Sequence, residues 1–188
     1  MTRNLRADIL HSASRLFYAR GIKATGIDAI VRAAGTTKMS LYKYFPSKDD
    51  LTIAVLRQRN EEFSNWFNTE LNRRAEGPKD RLLAIFDLIG ERLASPDFRG
   101  CPFINTSAEF PSTEDPAHRY CAEYYDRFLD LVTELAVQSG LAYPRDLARQ
   151  LVLLIQGAVV SEQLKRGSGA AQAAKCAAIA LIGTCGEG

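Results

Sequence analysis

Lysines and tyrosines alternate in one short stretch of the chain, Thr36–Leu51, which reads TTKMSLYKYFPSKDDL. Ammonium groups and phenol hydroxyls donate hydrogen bonds to phosphate oxygens, and an ammonium also reaches the O6 and N7 acceptors of guanine. A surface helix needs solubilising charge, but it does not need tyrosines between its lysines. The stretch therefore has the chemistry of a surface that binds a polyanion.

Charge is unevenly distributed along the 188 residues. Residues 1–48 contain nine Lys or Arg and two Asp, a net charge of +7, whereas the remainder carries 15 basic and 20 acidic side chains, a net charge of −5. This asymmetry predicts a basic module for a polyanion, joined to an acidic body with another task. A chance excess of solvated lysines is the alternative interpretation.

The composition argues against a membrane or secreted protein. The most apolar stretch, LVLLIQGAVV, has ten residues, and a membrane-spanning helix needs roughly 18. The N-terminal residues lack the apolar segment of a secretory signal. The cysteines show no C-x-x-C spacing; they are Cys101, Cys121, Cys176 and Cys185. We therefore expect a cytoplasmic protein with reduced thiols and no structural zinc.

Catalytic motifs are not evident in the sequence. His11 and His118, the two histidines, have no obvious acidic or cysteine partner, and GSGAAQ lacks the third glycine of a dinucleotide fingerprint. We expect no enzymatic activity, no cofactor and no metal ion.

Apolar residues recur at helical spacing throughout, which predicts an all-α fold of about nine helices. The first should run from about Asn4 to Arg20, the second from about Gly26 to Ala34, and the third from Thr36 or Thr37 to about Phe45. Pro46 forbids continuation of the third helix. The remaining helices are expected at about 48–75, 79–94, 103–109, 115–138, 144–166 and 170–182.

The second and third helices, separated by GTT, are typical of a helix-turn-helix. With LYKYFPSKDDL at 41–51 and ARGIKATGIDAIVRAAGTTKMS at 19–40, the chain resembles the tetracycline-repressor (TetR) family of bacterial regulators over about residues 4–60. The resemblance implies a three-helix DNA-binding domain over 1–47 and a C-terminal helical domain over 48–188 for ligand binding and dimerisation. Gly26 and Met39 depart from the family pattern, which favours Ser or Thr and a small residue at these places.

A helix in the major groove contacts bases from its N-terminal part while flanking groups bind phosphates. We predict phosphate contacts from Thr25, Thr37, Ser40, Tyr42, Tyr44 and Lys48, and base contacts from Lys38, Met39 and Lys43. The alternative is that Tyr44 packs within the domain and that the lysines are only solvated.

The resemblance implies two further surfaces. A small-molecule pocket would be lined by Phe63, Trp66, Phe86, Phe103, Phe110, Tyr120, Tyr124, Phe128 and Gln156. A homodimer interface would use two apolar stripes, with Leu151, Leu154, Ile155 and Ala158 in one and Ala170, Ala174, Ala178 and Leu181 in the other. The alternatives are an ordinary aromatic core and stripes that close the core of a single chain.

These observations predict a sequence-specific transcription regulator. We expect a repressor that binds a palindromic double-stranded operator as a homodimer and is released by a small-molecule effector. An architectural or division-linked DNA-binding protein without an inducer is the alternative.

Overall fold

The computed structural model describes residues 4–185, and nine α-helices lie within that range. Arg3, part of the basic segment, lies outside the described residues. The helices are α1 (Leu5–Arg20), α2 (Ile27–Ala33), α3 (Lys38–Tyr44), α4 (Lys48–Arg74), α5 (Pro78–Ala94), α6 (Pro102–Glu109), α7 (Pro116–Gln138), α8 (Pro144–Leu164) and α9 (Ala170–Thr184). The predicted all-α fold is confirmed, with helix ends within about two residues of those expected.

Local side-chain chemistry explains where the N-terminal helices begin and end. Gly21 ends α1 with φ +88°, a conformation that L side chains rarely adopt. Thr37 caps α3, since its Oγ1 accepts from the Ser40 amide at 3.2 Å. At the start of α4, the Ser47 hydroxyl accepts from the Asp50 amide at 3.0 Å and donates to its carboxylate at 2.7 Å.

The described residues form two compact units. The first contains the residues up to Phe63 together with Cys101–Tyr124, and the second contains Ser64–Gly100 and the residues from Tyr125 onward. The division does not fall after residue 47, where the sequence predicts a domain boundary, because α6 and the first part of α7 belong with the N-terminal helices.

The first unit has two apolar clusters. One joins α1 to α4 through buried residues that include Ile9, Phe17, Ile30, Leu41 and Leu51. The other contains Leu56, Phe103, Ala117 and Cys121. Phe110 packs against both clusters, so the residue that follows α6 links the two cores.

The second unit is built on contacts among α5, α8 and α9. Helix α5 is buried along most of its length, from Leu82 to Leu93. The buried side chain of Glu162 stabilises the turn between α8 and α9. Its carboxylate accepts from the Gly167 amide at 2.6 Å and from the Ser168 amide at 3.1 Å. Arg166 donates to the carbonyl oxygens of Leu93 and Ser95, at 2.7 and 2.8 Å.

Candidate nucleic-acid interface

The third helix is fixed by two buried anchors. Leu41 is fully buried and Phe45 is 3% exposed. The guanidinium of Arg6, on α1, lies 5.2 Å from the centre of the Phe45 ring and adds a cation–π contact. Because two positions of this short helix face the core, its other side chains are directed outward.

The outward face of α3 carries most of the predicted DNA-contacting residues. Met39 is 82% exposed, and the phenol-bearing Tyr42 and Tyr44 are 44% and 39% exposed. The alternative interpretation, in which Tyr44 packs within the domain, is therefore not supported. Thr37, Lys38 and Lys43 are also exposed, while Ser40 and Lys48 are half-buried.

Thr25 requires a correction. Its side chain is buried, at 1% exposed, and its hydroxyl donates to the carbonyl oxygen of Gly21 at 2.7 Å. The hydroxyl therefore supports the turn between α1 and α2, and it is not available to a phosphate. Thr25 does not cap α2, because the residue at the N-cap of α2 is Gly26, without a side-chain cap.

Lys38 has a partner that sequence reasoning missed. Its Nζ lies 2.8 Å from the carboxylate of Asp28, on α2, and both side chains are solvent-exposed. The hydrogen bond to Asp28, with the accompanying charge attraction, raises the pKa of Lys38 above its ordinary value. The lysine is thus fully protonated at neutral pH, and one carboxylate competes with DNA for its ammonium.

Lys48 lies where α4 begins, next to backbone amides that have no partner within the helix. Its Nζ donates to the carbonyl oxygen of Lys23 at 3.5 Å. The start of a helix favours an anion, so the ammonium and the helix end together suit a phosphate.

Glu109, on α6, is a second residue that the sequence analysis did not identify, and it contacts the turn between α1 and α2. The Glu109 carboxylate accepts from the Ile22 amide at 2.9 Å and from the Lys23 amide at 2.7 Å. The contact joins positions 86 and 87 residues apart, and no local sequence signal predicts it.

Comparison with known proteins settles what kind of protein carries this face. The family model for bacterial regulatory proteins of the tetR family matches residues 9–55. The model for the C-terminal domain of LmrA/YxaF-like transcriptional regulators matches residues 78–177, more than half of the chain. The chain belongs to the TetR family. It is a DNA-binding transcription regulator and not an enzyme.

Individual relatives can be aligned with most of the chain. A TetR-family transcriptional regulator from Streptomyces coelicolor has a crystal structure with a TM-score of 0.91 and 32% identity, covering 97% of this chain and 96% of that one. An uncharacterized HTH-type regulator of Mycobacterium tuberculosis is 29% identical over 172 residues, 86% of this chain and 85% of that protein. The HTH-type regulator LmrA of Bacillus subtilis is 26% identical over 159 residues, 82% and 84% of the two chains.

The predicted pocket residues of this TetR-family protein are divided between the two units. In the first unit, Phe103 stacks on Tyr124 with ring centres 3.7 Å apart. The ring centre of Phe63 lies 6.3 Å from that of Tyr124, and the ring centre of Tyr120 lies 6.5 Å from that of Phe103. Phe110 belongs to the same unit. Burial raises the pKa of the neighbouring Cys121 thiol to about 12, so this thiol stays protonated at neutral pH.

The other predicted pocket residues lie in the second unit. Phe67 contacts Phe128 edge-on with ring centres 6.0 Å apart, and Trp66 lies beside Phe67 and under the Arg92 guanidinium. Phe86 is buried and lines a groove of about 620 Å³ between the end of α4, α5 and α9. Gln156 is half-buried on α8.

The predicted dimer stripes also require a correction. Exposed fractions in the single chain do not exceed 7% for five of the eight residues: Leu151, Ile155, Ala158, Ala174 and Ala178. Leu154, Ala170 and Leu181 are half-buried. The strongest apolar stripes of α8 and α9 face the core of their own unit, because α5 is buried against them. The large apolar side chains left exposed on these helices are Leu153, Val160, Leu164 and Ile179.

No helix within residues 4–185 combines the length and the apolar character needed to cross a bilayer. In the same range, His, Cys, Asp and Glu side chains do not gather in threes or more at any place suited to a metal ion.

Proposed function

We propose that this TetR-family regulator is a repressor that acts in the cytoplasm, where it binds a palindromic operator as a homodimer and is released by a small molecule. The observation that carries the proposal is the outward face of α3. Lys38, Tyr42 and Lys43 are exposed on a helix whose position is fixed by buried anchors and whose start is capped. Such a face suits the major groove, with Lys48 placed for the adjoining phosphate.

The second copy is expected on the exposed apolar face of α8 and α9, made of Leu153, Val160, Leu164 and Ile179. These side chains are 62%, 40%, 83% and 49% exposed, and the three on α8 follow helical spacing. Exposed apolar side chains that gather into one patch are typical of a protein–protein interface, and we propose that these four form such a patch. A two-fold dimer would place its two copies of α3 on two half-sites about one helical turn of DNA, or 34 Å, apart.

The effector is expected to be a small apolar molecule with an aromatic ring. Phe63, Phe103, Tyr120 and Tyr124 supply ring faces and edges within one unit, and aromatic rings stack favourably on one another. The two tyrosines add hydroxyls that can orient a polar substituent.

Footprinting on genomic DNA tests the operator proposal. We expect protection of one or a few palindromic sites, with two half-sites separated by about ten base pairs. Lys48→Ala should weaken protection everywhere, while Glu61→Gln, a charge change on an exposed part of α4, should not. Protection spread over many unrelated sites would instead favour the architectural alternative.

Effector release is tested by linkage. A true inducer must weaken operator binding by the same factor by which operator weakens inducer binding, typically 5–150-fold. Trp66 is the only tryptophan, so its fluorescence provides a direct screen for aromatic compounds. A compound that changes Trp66 fluorescence but leaves operator affinity unchanged is a ligand and not an inducer.

A further inference from the structure

The end of α6 binds the turn between α1 and α2 through one carboxylate. Both Glu109 oxygens are used: Oε1 accepts from the Ile22 amide at 2.9 Å and Oε2 accepts from the Lys23 amide at 2.7 Å. Hydrogen bonds from backbone amides to an ionised carboxylate are short and stronger than neutral ones. This paired contact fixes both the position and the orientation of the turn.

The turn is shaped for this close approach. Gly21 has φ +88°, and a Cβ added there would lie 3.1 Å from Glu109 Oε1. The Lys23 ammonium lies 5.1 Å from the centre of the Phe110 ring, next to Glu109. The carbonyl oxygen of Phe110 is 2.7 Å from Nδ1 of His118, on α7. The residue directly after Glu109 is therefore itself in contact with the turn and with α7.

The turn between α1 and α2 also contacts two parts of the DNA-binding region, the residues that precede α2 and the side chain of Lys48. Thr25 donates to the carbonyl oxygen of Gly21 at 2.7 Å and directly precedes Gly26, the N-cap of α2. Lys48, the expected phosphate contact, donates to the carbonyl oxygen of Lys23 at 3.5 Å. A change in the turn would therefore displace the start of α2 and one DNA-facing ammonium together.

We propose that Glu109 is a positioning residue for DNA recognition, so that the DNA-binding apparatus includes the end of α6 in addition to residues 9–55. The carboxylate does not touch DNA; it holds the turn from which α2 and Lys48 take their positions. The inference rests on the proposed DNA-binding face of α3.

The direction in which DNA affinity changes when one charge is removed tests the inference. Glu109→Gln removes a negative charge, and electrostatics alone would strengthen binding to polyanionic DNA. The amide also places an NH₂ group against one of the two backbone amides, so one hydrogen bond is lost. Positioning therefore predicts weaker binding, on the order of tenfold. The matched control is Glu114→Gln, which removes the same charge from an exposed residue five positions away and should bind equally or slightly more tightly.

The probe is a duplex selected by the wild-type protein from a random-sequence pool, with an unselected duplex of equal length beside it. Glu109→Asp keeps the charge but shortens the side chain, so it cannot reach both amides. It should weaken binding to the selected duplex and reduce the preference over the unselected one. Thermal melting checks that each variant is folded at the assay temperature.

Amide hydrogen exchange provides the structural readout. Exchange at Ile22 and Lys23 should accelerate in both Glu109 variants and remain unchanged in Glu114→Gln. The inference is overturned if folded Glu109 variants exchange faster at the turn yet bind the selected duplex as tightly as wild type. Failure of the wild-type protein to select any sequence would instead count against the proposed operator.

Discussion

At the scale of single residues, the pair formed by Lys38 and Asp28 bears directly on sequence recognition. The ammonium that faces the groove is already bound to a carboxylate at 2.8 Å. A phosphate or a base must replace that carboxylate before Lys38 contributes to binding. Because both groups are well solvated, the exchange has a small free-energy cost, and Asp28 itself repels phosphates at every sequence.

We expect Lys38→Ala to cost about 1–3 kcal/mol at one base position and to relax the preference there. Asp28→Asn should increase affinity for the operator and for random DNA by similar factors, because it removes a repulsion that all sequences share. Binding to the operator and to single-base variants, measured for both proteins, checks these outcomes.

Lys48→Ala and Tyr42→Phe are the controls, since phosphate contacts should weaken all duplexes alike. Uniform weakening by Lys38→Ala would show that Lys38 binds the backbone and does not read a base.

At the scale of helices, the sequence predicts most of the fold because the signals that end helices are local. Gly21, Thr37 and Pro46 each act on their own neighbours. The anchors Leu41 and Phe45 follow from periodicity, and the outward face of α3 follows from the anchors. Contacts between distant residues have no such signal: the Glu109 carboxylate is 86 residues from the Lys23 amide it binds, and composition does not reveal it.

The stripes of α8 and α9 show a different limit of sequence reasoning. Apolar periodicity identifies a face that must be buried, but it does not say whether the same chain or a second copy buries it. Ala178 is 0% exposed within one chain, while the adjacent Ile179 is 49% exposed. Here the more apolar face of each helix is buried within the single chain, and the less apolar face remains exposed.

The adjacent pair on α9 allows a matched experiment. Ala178→Glu should destabilise the fold, on the order of 4 kcal/mol, because it buries an unpaired charge. Ile179→Glu should leave the melting temperature nearly unchanged but give monomers with much weaker DNA binding, since linked half-sites act at high effective concentration. Sedimentation and thermal melting separate the two effects. An intact dimer in folded Ile179→Glu would place the interface elsewhere.

The turn between α8 and α9 should be sensitive to acid. Hydrogen bonds from the Gly167 amide and the Ser168 hydroxyl hold the pKa of Glu162 below its ordinary value. A carboxyl whose pKa is lowered on folding stabilises the protein above its unfolded pKa of about 4.3, and this contribution is lost as pH falls through the lower, folded pKa. We expect Glu162→Gln to reduce the melting temperature by a few degrees at pH 7.

The difference between Glu162→Gln and wild type should shrink as pH falls below the unfolded pKa of about 4.3, and it should disappear below the lower folded pKa, where the wild-type carboxyl is neutral in both states. Glu61→Gln, an exposed change in the first unit, serves as the control and should show no such convergence. Melting curves between pH 3 and 7 measure both, as trial conditions. A constant difference across that range would mean that Glu162 acts by packing alone.

At the scale of the whole molecule, the net charge of +7 over residues 1–48 should make binding strongly dependent on salt. If each subunit of the proposed dimer contacts about four phosphates, about eight counterions are released, and the slope of log affinity against log salt should be near −7. Titrations between 50 and 200 mM salt, as trial conditions, measure the slope. The Ile179→Glu monomer should show about half of it. Affinity that is indifferent to salt would contradict the proposed interface.

The first unit is discontinuous along the chain, and this has a consequence for synthesis on the ribosome. The 86 residues that separate Lys23 from Glu109 take roughly 4–17 s to translate at about 5–20 residues per second. Early in that interval the helix-turn-helix is completed, at Tyr44, but the acidic side chain that binds its preceding turn has not yet been made. The amides of Ile22 and Lys23 must remain hydrated until α6 is complete. A nascent chain therefore has the lysines that attract DNA well before it has the support that aligns them, so nucleic-acid binding during translation should be weaker in its sequence preference than that of the finished protein.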